Sequence, residues 1–129
     1  MGERMARILL AEDDRFLRKA AEATLRQRGF TVVTAVDGEE ALRLARKDVP
    51  DLILLDLIMP KLQGFEVLRA LKQDPATAHI PVIVLSNLGQ ARDVQQTMEG
   101  GAVAYFVKAS ISLQDLVSRV EELLPGGKA

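Results

Sequence analysis

The sequence predicts an α/β domain in which a doubly wound sheet of five parallel strands carries helices on both faces. Short apolar runs alternate with longer segments of helical pattern, which is typical of strand–helix repeats. Most runs are continuously apolar, as expected of strands buried on both faces. Right-handed crossovers allow few topologies, and the order 2-1-3-4-5 is one of the two common ones. The predicted strands are Arg7–Ala11, Thr31–Ala35, Leu52–Leu55, Val82–Ser86 and Ala104–Val107.

Polar residues next to the apolar runs mark where the helices begin. Asp14 is predicted to be the N-cap of the first helix, and Asp37 with Glu40 predicts a capping box at the second. The fourth helical segment, Gln90–Glu99, has few apolar residues and is predicted to be the least firmly docked helix. Its predicted anchors are Ala91, Val94 and Met98.

The composition limits both the domain organisation and the function. The 129 residues suit one domain, 1–129, with a core of about 6–124 and a frayed tail at 125–129. A net charge of −1 without basic clusters argues against direct binding to nucleic acid or anionic membranes. The absence of cysteine excludes disulfides, thiolate metal sites and cysteine nucleophiles. The absence of cysteine also fits a cytoplasmic protein. No apolar run is long enough for membrane insertion.

Charged and polar residues follow the predicted strands at the edge where such sheets bind ligands. Glu12 and Asp13 follow strand 1, Asp56 follows strand 3, strand 4 ends in Ser86, and strand 5 leads into Lys108. Three converging carboxylates would repel one another unless a cation lies among them. An all-oxygen set with few protein ligands suits Mg²⁺, and a lysine opposite suits a phosphate oxygen. The formal charges of the three carboxylates, Mg²⁺ and Lys108 sum to about zero, so the site could exist with or without a phosphoryl group.

Four segments, in order and with family-like spacing over essentially the whole chain, resemble the receiver domains of bacterial two-component response regulators, which have a flavodoxin-like fold. These segments are Ile8–Asp14, Leu54–Pro60, Val84–Asn87 and Tyr105–Lys108. The resemblance implies that Asp56 accepts a phosphoryl group. It also implies that Asp13, Asp56 and the backbone carbonyl of Ile58 bind Mg²⁺ directly, and that Glu12 acts through water.

The resemblance also implies how the state of Asp56 is read. Lys108 would contact the phosphoryl group, Ser86 and its neighbour Asn87 would respond to it, and Tyr105 would change rotamer in concert. The surface of helix 4, strand 5 and helix 5 would then contact an unknown downstream protein or form a homodimer. The donor would be a phosphohistidine on a histidine kinase or a histidine phosphotransfer protein.

Two features depart from the family pattern or modulate it. Ala109 stands where the family usually has a proline after a cis bond, which leaves open whether the Lys108–Ala109 bond is cis. Ile58 and Leu88 occupy positions that, by resemblance, flank the route of a hydrolytic water. Both are apolar, which predicts slow loss of the phosphoryl group.

Three other functions are the alternatives to a phosphorylation switch. An aspartate-nucleophile phosphohydrolase would need a second aspartate where Ile58 stands, so no enzymatic activity is expected beyond self-phosphorylation and slow dephosphorylation. A nucleotide or flavin binder would need glycines in the turn after strand 1, which is acidic. A receiver-like interaction module that works without phosphorylation remains the main alternative. His79 is interpreted as a solvated loop residue, and the basic residues of helices 1, 2 and 3 as solvated helix faces.

Overall fold

Strands and helices alternate along the chain in the computed structural model, which describes residues 5–88 and 90–124. The predicted tail at 125–129 lies outside the described residues. The strands are β1 (Arg7–Ala11), β2 (Thr31–Ala35), β3 (Leu52–Asp56), β4 (Val82–Ser86) and β5 (Ala104–Val107). The helices are α1 (Arg15–Gln27), α2 (Gly38–Asp48), α3 (Gly64–Gln73), α4 (Ala91–Glu99) and α5 (Leu113–Leu123), and a short 3₁₀ turn, Lys108–Ser110, precedes α5.

The five strands form one parallel sheet in the order β2-β1-β3-β4-β5, which confirms the predicted topology. Leu9 of the β1 strand pairs with Val33 on one side and with Ile53 on the other. The third strand is one residue longer than predicted, because Asp56 still pairs with Leu85 of β4. The candidate phosphoacceptor is therefore the last residue of a strand and not the first residue of a loop.

Two apolar cores lie on opposite faces of the sheet, since successive strand residues point to opposite sides. The first core joins the sheet to α2 and α3, and the second joins it to α1 and α5. Members of the first core include Leu9, Leu55, Leu42, Val67 and Leu71. Members of the second include Ile8, Leu10, Leu25, Leu116 and Val120. Burial on both faces explains why the strands are continuously apolar in sequence.

The predicted helix starts are present, with one difference. Asp14 Oδ1 accepts hydrogen bonds from the backbone N–H groups of Phe16 (2.9 Å) and Leu17 (3.1 Å), as an N-cap does. Asp37 Oδ1 accepts from the Glu40 N–H (2.8 Å). The Glu40 carboxylate accepts in return from the Val36 N–H (2.8 Å), one residue before the cap. This arrangement is a variant of the predicted capping box.

The α4 helix buries less than the other helices, as predicted, but through a different residue. Ala91 and Met98 are exposed, so these two predicted anchors were wrong, whereas Val94 is half-buried. The buried residue of α4 is Thr97, whose hydroxyl donates to the Asp93 carbonyl (2.7 Å). That internal hydrogen bond lets a polar residue replace an apolar anchor. Within residues 5–88 and 90–124, no helix has the length and apolar character needed to cross a membrane.

Candidate functional site

The carboxyl ends of β1 and β3 bring three carboxylates together. Ala11 and Leu55 are paired across the two strands, so the residues that follow them emerge side by side. Carboxylate oxygens of Glu12, Asp13 and Asp56 all lie within 4.8 Å of one another. Glu12 and Asp56 are buried and Asp13 is exposed. The cluster predicted from the strand ends is therefore formed, with one member open to solvent.

Lys108 lies between the two buried carboxylates. Its Nζ donates to Asp56 Oδ2 (3.0 Å) and to Glu12 Oε2 (3.0 Å), and its side chain is 16% exposed. It reaches this position from the end of β5, where Ser86 of β4 is paired with Val107. The lysine thus partly compensates the repulsion among the carboxylates.

The pKa values of Glu12 and Lys108 reflect burial and their contact. Burial raises the pKa of Glu12 to about 7, although the hydrogen bond from Lys108 opposes the rise. Burial also lowers the pKa of Lys108, but its hydrogen bonds to Glu12 and Asp56 outweigh burial, and the net shift is upward. Lys108 is therefore a firmly charged cation, and Glu12 takes up a proton more readily than an ordinary glutamate.

Asp56 is held from two sides. Its Oδ2 contacts Lys108, and its Oδ1 accepts a hydrogen bond from the Ile58 N–H (3.2 Å). The first residue of α3, Gly64, packs against the backbone of this strand end and donates to the Leu57 carbonyl (2.8 Å). A Cβ atom at Gly64 would lie 2.5 Å from Leu57 Cα and would overlap the Asp56 carbonyl oxygen. Glycine is therefore required where α3 meets the end of β3.

The predicted switch residues meet at the backbone of Leu88. The buried Ser86 hydroxyl accepts a hydrogen bond from the Leu88 N–H (3.0 Å), and the Tyr105 hydroxyl donates to the Leu88 carbonyl. Tyr105 is half-buried, and burial raises the pKa of its hydroxyl. Asn87 is exposed at the end of β4. Tyr105 and Ser86 are thus connected through one residue of the loop before α4.

The open question about the Lys108–Ala109 bond has a definite answer. No peptide bond among the described residues is cis, and this bond is therefore trans. The chain continues from Lys108 into a 3₁₀ turn and then reaches Ser112, whose hydroxyl caps α5 by accepting from the Asp115 N–H (3.0 Å). This path delivers Lys108 to the carboxylates with alanine in place of proline.

Arg18 and Lys72, which the sequence predicts to be parts of solvated helix faces, both contact backbone carbonyls. Arg18 is half-buried, and its Nη1 donates to the Glu12 carbonyl (2.9 Å) and the Asp13 carbonyl (3.3 Å). Lys72 donates to two carbonyls of the loop before β4 (2.7 and 3.0 Å), and burial lowers its pKa. The position of Arg18 could have revealed its contact. It lies one turn after the Asp14 cap, and helical side chains lean toward the N-terminus.

His79 lies away from the cluster, as its interpretation as a loop residue implies. It is exposed and lines a groove of about 840 Å³ at the amino ends of β1 and β2, together with Arg7 and Thr31. The amino ends of the strands form the opposite edge of the sheet from the carboxyl ends, where Asp56 lies. The described geometry therefore gives His79 no part in the carboxylate cluster.

The donor set of the cluster fits a hard divalent cation. Glu12, Asp13 and Asp56 offer only carboxylate oxygens, and one of these residues is open to solvent, so that water could complete the coordination. Glu12 Oε1 is buried, and Lys108 Nζ lies 2.9 Å from it. The single positive charge of Lys108 faces three clustered carboxylates, so the cluster can accept a further cation. The residues present thus match the predicted Mg²⁺ site.

Comparisons with known proteins agree with this geometry. The gliding motility regulatory protein of Myxococcus xanthus is 40% identical over 117 residues, which cover 91% of this chain and 15% of that protein. The DNA-binding dual master transcriptional regulator RpaA of Synechocystis is 40% identical over 120 residues, covering 93% of this chain and 49% of that protein. The chain therefore spans half or less of the length of these curated relatives.

A solved receiver domain has the same fold as this chain. The receiver domain of the Francisella response regulator 1452 superimposes with a TM-score of 0.87 at 29% identity, covering 93% of this chain and 97% of that one. The family model for the response regulator receiver domain matches residues 8–121. That range includes all five strands except the first residue of β1, and every member of the carboxylate cluster. The chain belongs to the response regulator receiver domain family.

Proposed function

We propose that this chain is a phosphorylation switch in which Asp56 accepts a phosphoryl group from a phosphohistidine. One observation carries the proposal: the Asp56 carboxylate lies in a three-carboxylate cluster with Lys108 Nζ 3.0 Å from its Oδ2. A buried carboxylate beside a cation, with an all-oxygen donor set around it, has the composition that phosphoryl transfer requires. Glu12, Asp13, Asp56 and the carbonyl of Ile58 would hold Mg²⁺, which would neutralise charge on the phosphoryl oxygens when bound.

The chemistry needs only one exchange of bonds. A carboxylate oxygen of Asp56 attacks the phosphorus, a P–O bond forms, and the P–N bond to the donor imidazole breaks. The electron pair of that bond stays on the imidazole nitrogen. Lys108 lies within ion-pair distance of the attacking Asp56 carboxylate and would stabilise the negative charge that the phosphoryl group adds. The donor would be a histidine kinase or a histidine phosphotransfer protein.

Transmission would run through Ser86 and Tyr105 to the face of α4, β5 and α5. Both residues hydrogen-bond to the backbone of Leu88, at the start of the segment that leads to α4. A phosphoryl group on Asp56 would accept a hydrogen bond from the Ser86 hydroxyl, and movement of Ser86 toward it would change the hydrogen bond that Ser86 accepts from the Leu88 N–H. The α4 helix buries only Thr97 among its described side chains and offers little resistance to such a change. The downstream target would be a protein in the cytoplasm, with no direct contact to nucleic acid or membrane.

A second function, as an interaction module that works without phosphorylation, is favoured by one observation. Lys108 already contacts both buried carboxylates, so the site is largely compensated before any phosphoryl group arrives. The same fold could then present its α4–β5–α5 face constitutively, to a protein partner or to a second copy of the chain. A phosphorylation assay distinguishes this second function from the switch.

The deciding experiment is incubation with Mg²⁺ and acetyl phosphate followed by intact mass spectrometry. The switch predicts a gain of one phosphoryl mass that is absent with a chelator and in Asp56→Asn. Asp48→Asn, which removes a carboxylate at the opposite end of the sheet, is the matched control and should be phosphorylated normally. A folded protein that binds Mg²⁺ but gains no mass would contradict the switch and would favour the unphosphorylated module.

A further inference from the structure

Arg18 holds the backbone of the turn that carries two of the three clustered carboxylates. Its Nη1 donates to the Glu12 carbonyl (2.9 Å) and to the Asp13 carbonyl (3.3 Å). Both carbonyls lie beyond the end of β1, where the ladder to the neighbouring strands has ended. A charged donor on two such carbonyls makes a stronger bond than a neutral one.

The same turn is fixed at other points by uncharged donors. The Glu12 N–H donates to the Ala35 carbonyl at the end of β2 (3.0 Å). The Glu12 carboxylate accepts from the Asp14 N–H (3.0 Å), and Asp14 in turn caps α1. Arg18 adds the contact on the carbonyl side and joins the turn to the first full turn of α1. The orientation of Glu12 and Asp13 is therefore set by the helix as well as by the strand.

This arrangement opposes a specific force. Three carboxylates within 4.8 Å repel one another, and the turn that carries two of them could relieve the repulsion by rotating away from Asp56. Lys108 attracts the side chains of Glu12 and Asp56, to which its Nζ donates, and it donates no hydrogen bond to Asp13. The Arg18 contact to the Asp13 carbonyl restrains that residue through its backbone instead.

We propose that Arg18 is a positioning residue that keeps Glu12 and Asp13 aimed at a divalent cation beside Asp56. The proposal rests on the proposed function only in placing that cation at the carboxylate cluster, and it does not require phosphorylation. Arg18 acts through the backbone and not on the phosphoryl group. Outer residues that orient metal ligands commonly contribute about tenfold to metal affinity.

The test is a Mg²⁺ titration of the unphosphorylated protein by calorimetry and by amide chemical shifts. Arg18→Gln should weaken Mg²⁺ binding about tenfold, and Arg18→Lys, which keeps a charged donor, should weaken it less. Lys19→Gln is the matched control, since Lys19 is the exposed neighbour on the same helix. Adding methylguanidinium to Arg18→Ala should restore part of the Mg²⁺ affinity, which a general loss of stability would not allow.

Phosphorylation by acetyl phosphate gives a second readout. The Mg²⁺ concentration for half-maximal rate should rise in Arg18→Gln, while the rate at saturating Mg²⁺ should approach that of the wild type. Unchanged Mg²⁺ affinity in a folded Arg18→Gln protein would overturn the positioning role, and so would a wild-type protein that binds no Mg²⁺. A wild-type protein that shows the Arg18 effect on Mg²⁺ binding but takes up no phosphoryl group would support the positioning role and contradict the proposed function alone.

Discussion

The backbone N–H of Gly38 donates to the carbonyl of Pro60 (3.2 Å), which joins the start of α2 to the loop that follows β3. The contact leaves no room for a side chain. A Cβ atom on Gly38 would lie 2.6 Å from the Leu62 carbonyl carbon and would overlap its oxygen. Lys61, between Pro60 and Leu62, has a left-handed backbone (φ 70°) and forms an ion pair with Asp37 (3.6 Å). The loop between β3 and α3 is thus held against the start of α2 by backbone contacts and by this ion pair.

Gly38→Ala should destabilise the protein by about 2 kcal/mol, because the added methyl group must displace a backbone carbonyl in a packed contact. Alanine normally stabilises a helix relative to glycine. A lower free energy of unfolding for Gly38→Ala would therefore show that the contact with Leu62 outweighs this helix preference. Urea denaturation measures the loss. Gly100→Ala is the control, since the nearest atom to its Cβ position is 3.2 Å away, and it should cost less. A Gly38→Ala protein as stable as the wild type would show that the loop moves freely.

Lys108→Met should lower the free energy of unfolding in the presence of a chelator. The change leaves the buried Glu12 and Asp56 carboxylates without their shared cation. Removing one partner of a buried ion pair is strongly destabilising, and we expect about 2 kcal/mol here because Glu12 can take up a proton. Mg²⁺ should recover part of the loss, whereas Lys19→Met should change stability little under either condition. Equal stabilities of Lys108→Met and wild type with chelator would contradict the compensating role of Lys108.

The free energy of unfolding should depend on pH because Glu12 has a raised pKa in the folded protein. Burial raises its pKa from 4.5 to about 7, so between these values the folded protein retains a proton that the unfolded chain has released. The free energy of unfolding, measured by urea denaturation with a chelator, should therefore fall as pH rises through this range. Glu12→Gln cannot titrate at this position and should fall less. Parallel curves for the two proteins would show that Glu12 has an ordinary pKa.

The phosphorylated protein should lose its phosphoryl group slowly. Ile58 is 49% exposed and Leu88 is half-buried, and neither side chain can orient an attacking water. Replacing them with Asn and Glu, respectively, should accelerate dephosphorylation about tenfold, which corresponds to about 1.4 kcal/mol on the barrier. The decay of the phosphorylated mass after removal of acetyl phosphate measures the rate, and Val36→Asn, another exposed apolar position, is the control. An unchanged or slower decay in the double variant would contradict the prediction.

The sheet and the carboxylate cluster were predictable because both depend on short-range patterns. Burial on both faces makes each strand a continuous apolar run, and parallel strands present their carboxyl ends at one edge. That is enough to bring Glu12, Asp13 and Asp56 together. The end of β3 was misplaced by one residue because a charged side chain normally marks the end of a buried strand. Asp56 remains in the ladder because Lys108 and the Ile58 N–H contact its carboxylate.

The contacts that were not predicted depend on where long side chains reach. Arg18 and Lys72 look like solvated residues in sequence, because charge alone does not reveal which carbonyls lie within reach of a flexible side chain. Thr97 was missed as the buried residue of α4 because its hydroxyl is satisfied within its own helix. The contact between Gly38 and Leu62 joins the start of α2 to a loop that is distant along the chain. Such features require the three-dimensional path of the backbone.

Different parts of Leu88 serve two different roles. Its backbone makes the hydrogen bonds to Ser86 and Tyr105, and its side chain is the part predicted to affect dephosphorylation. The bridge between Ser86 and Tyr105 uses only the N–H and the carbonyl of Leu88, which every amino acid except proline supplies in full. The side chain at this position is therefore not needed for the bridge. Under the proposed function, we expect a substitution at residue 88 to change the lifetime of the phosphorylated state while the bridge between Ser86 and Tyr105 persists.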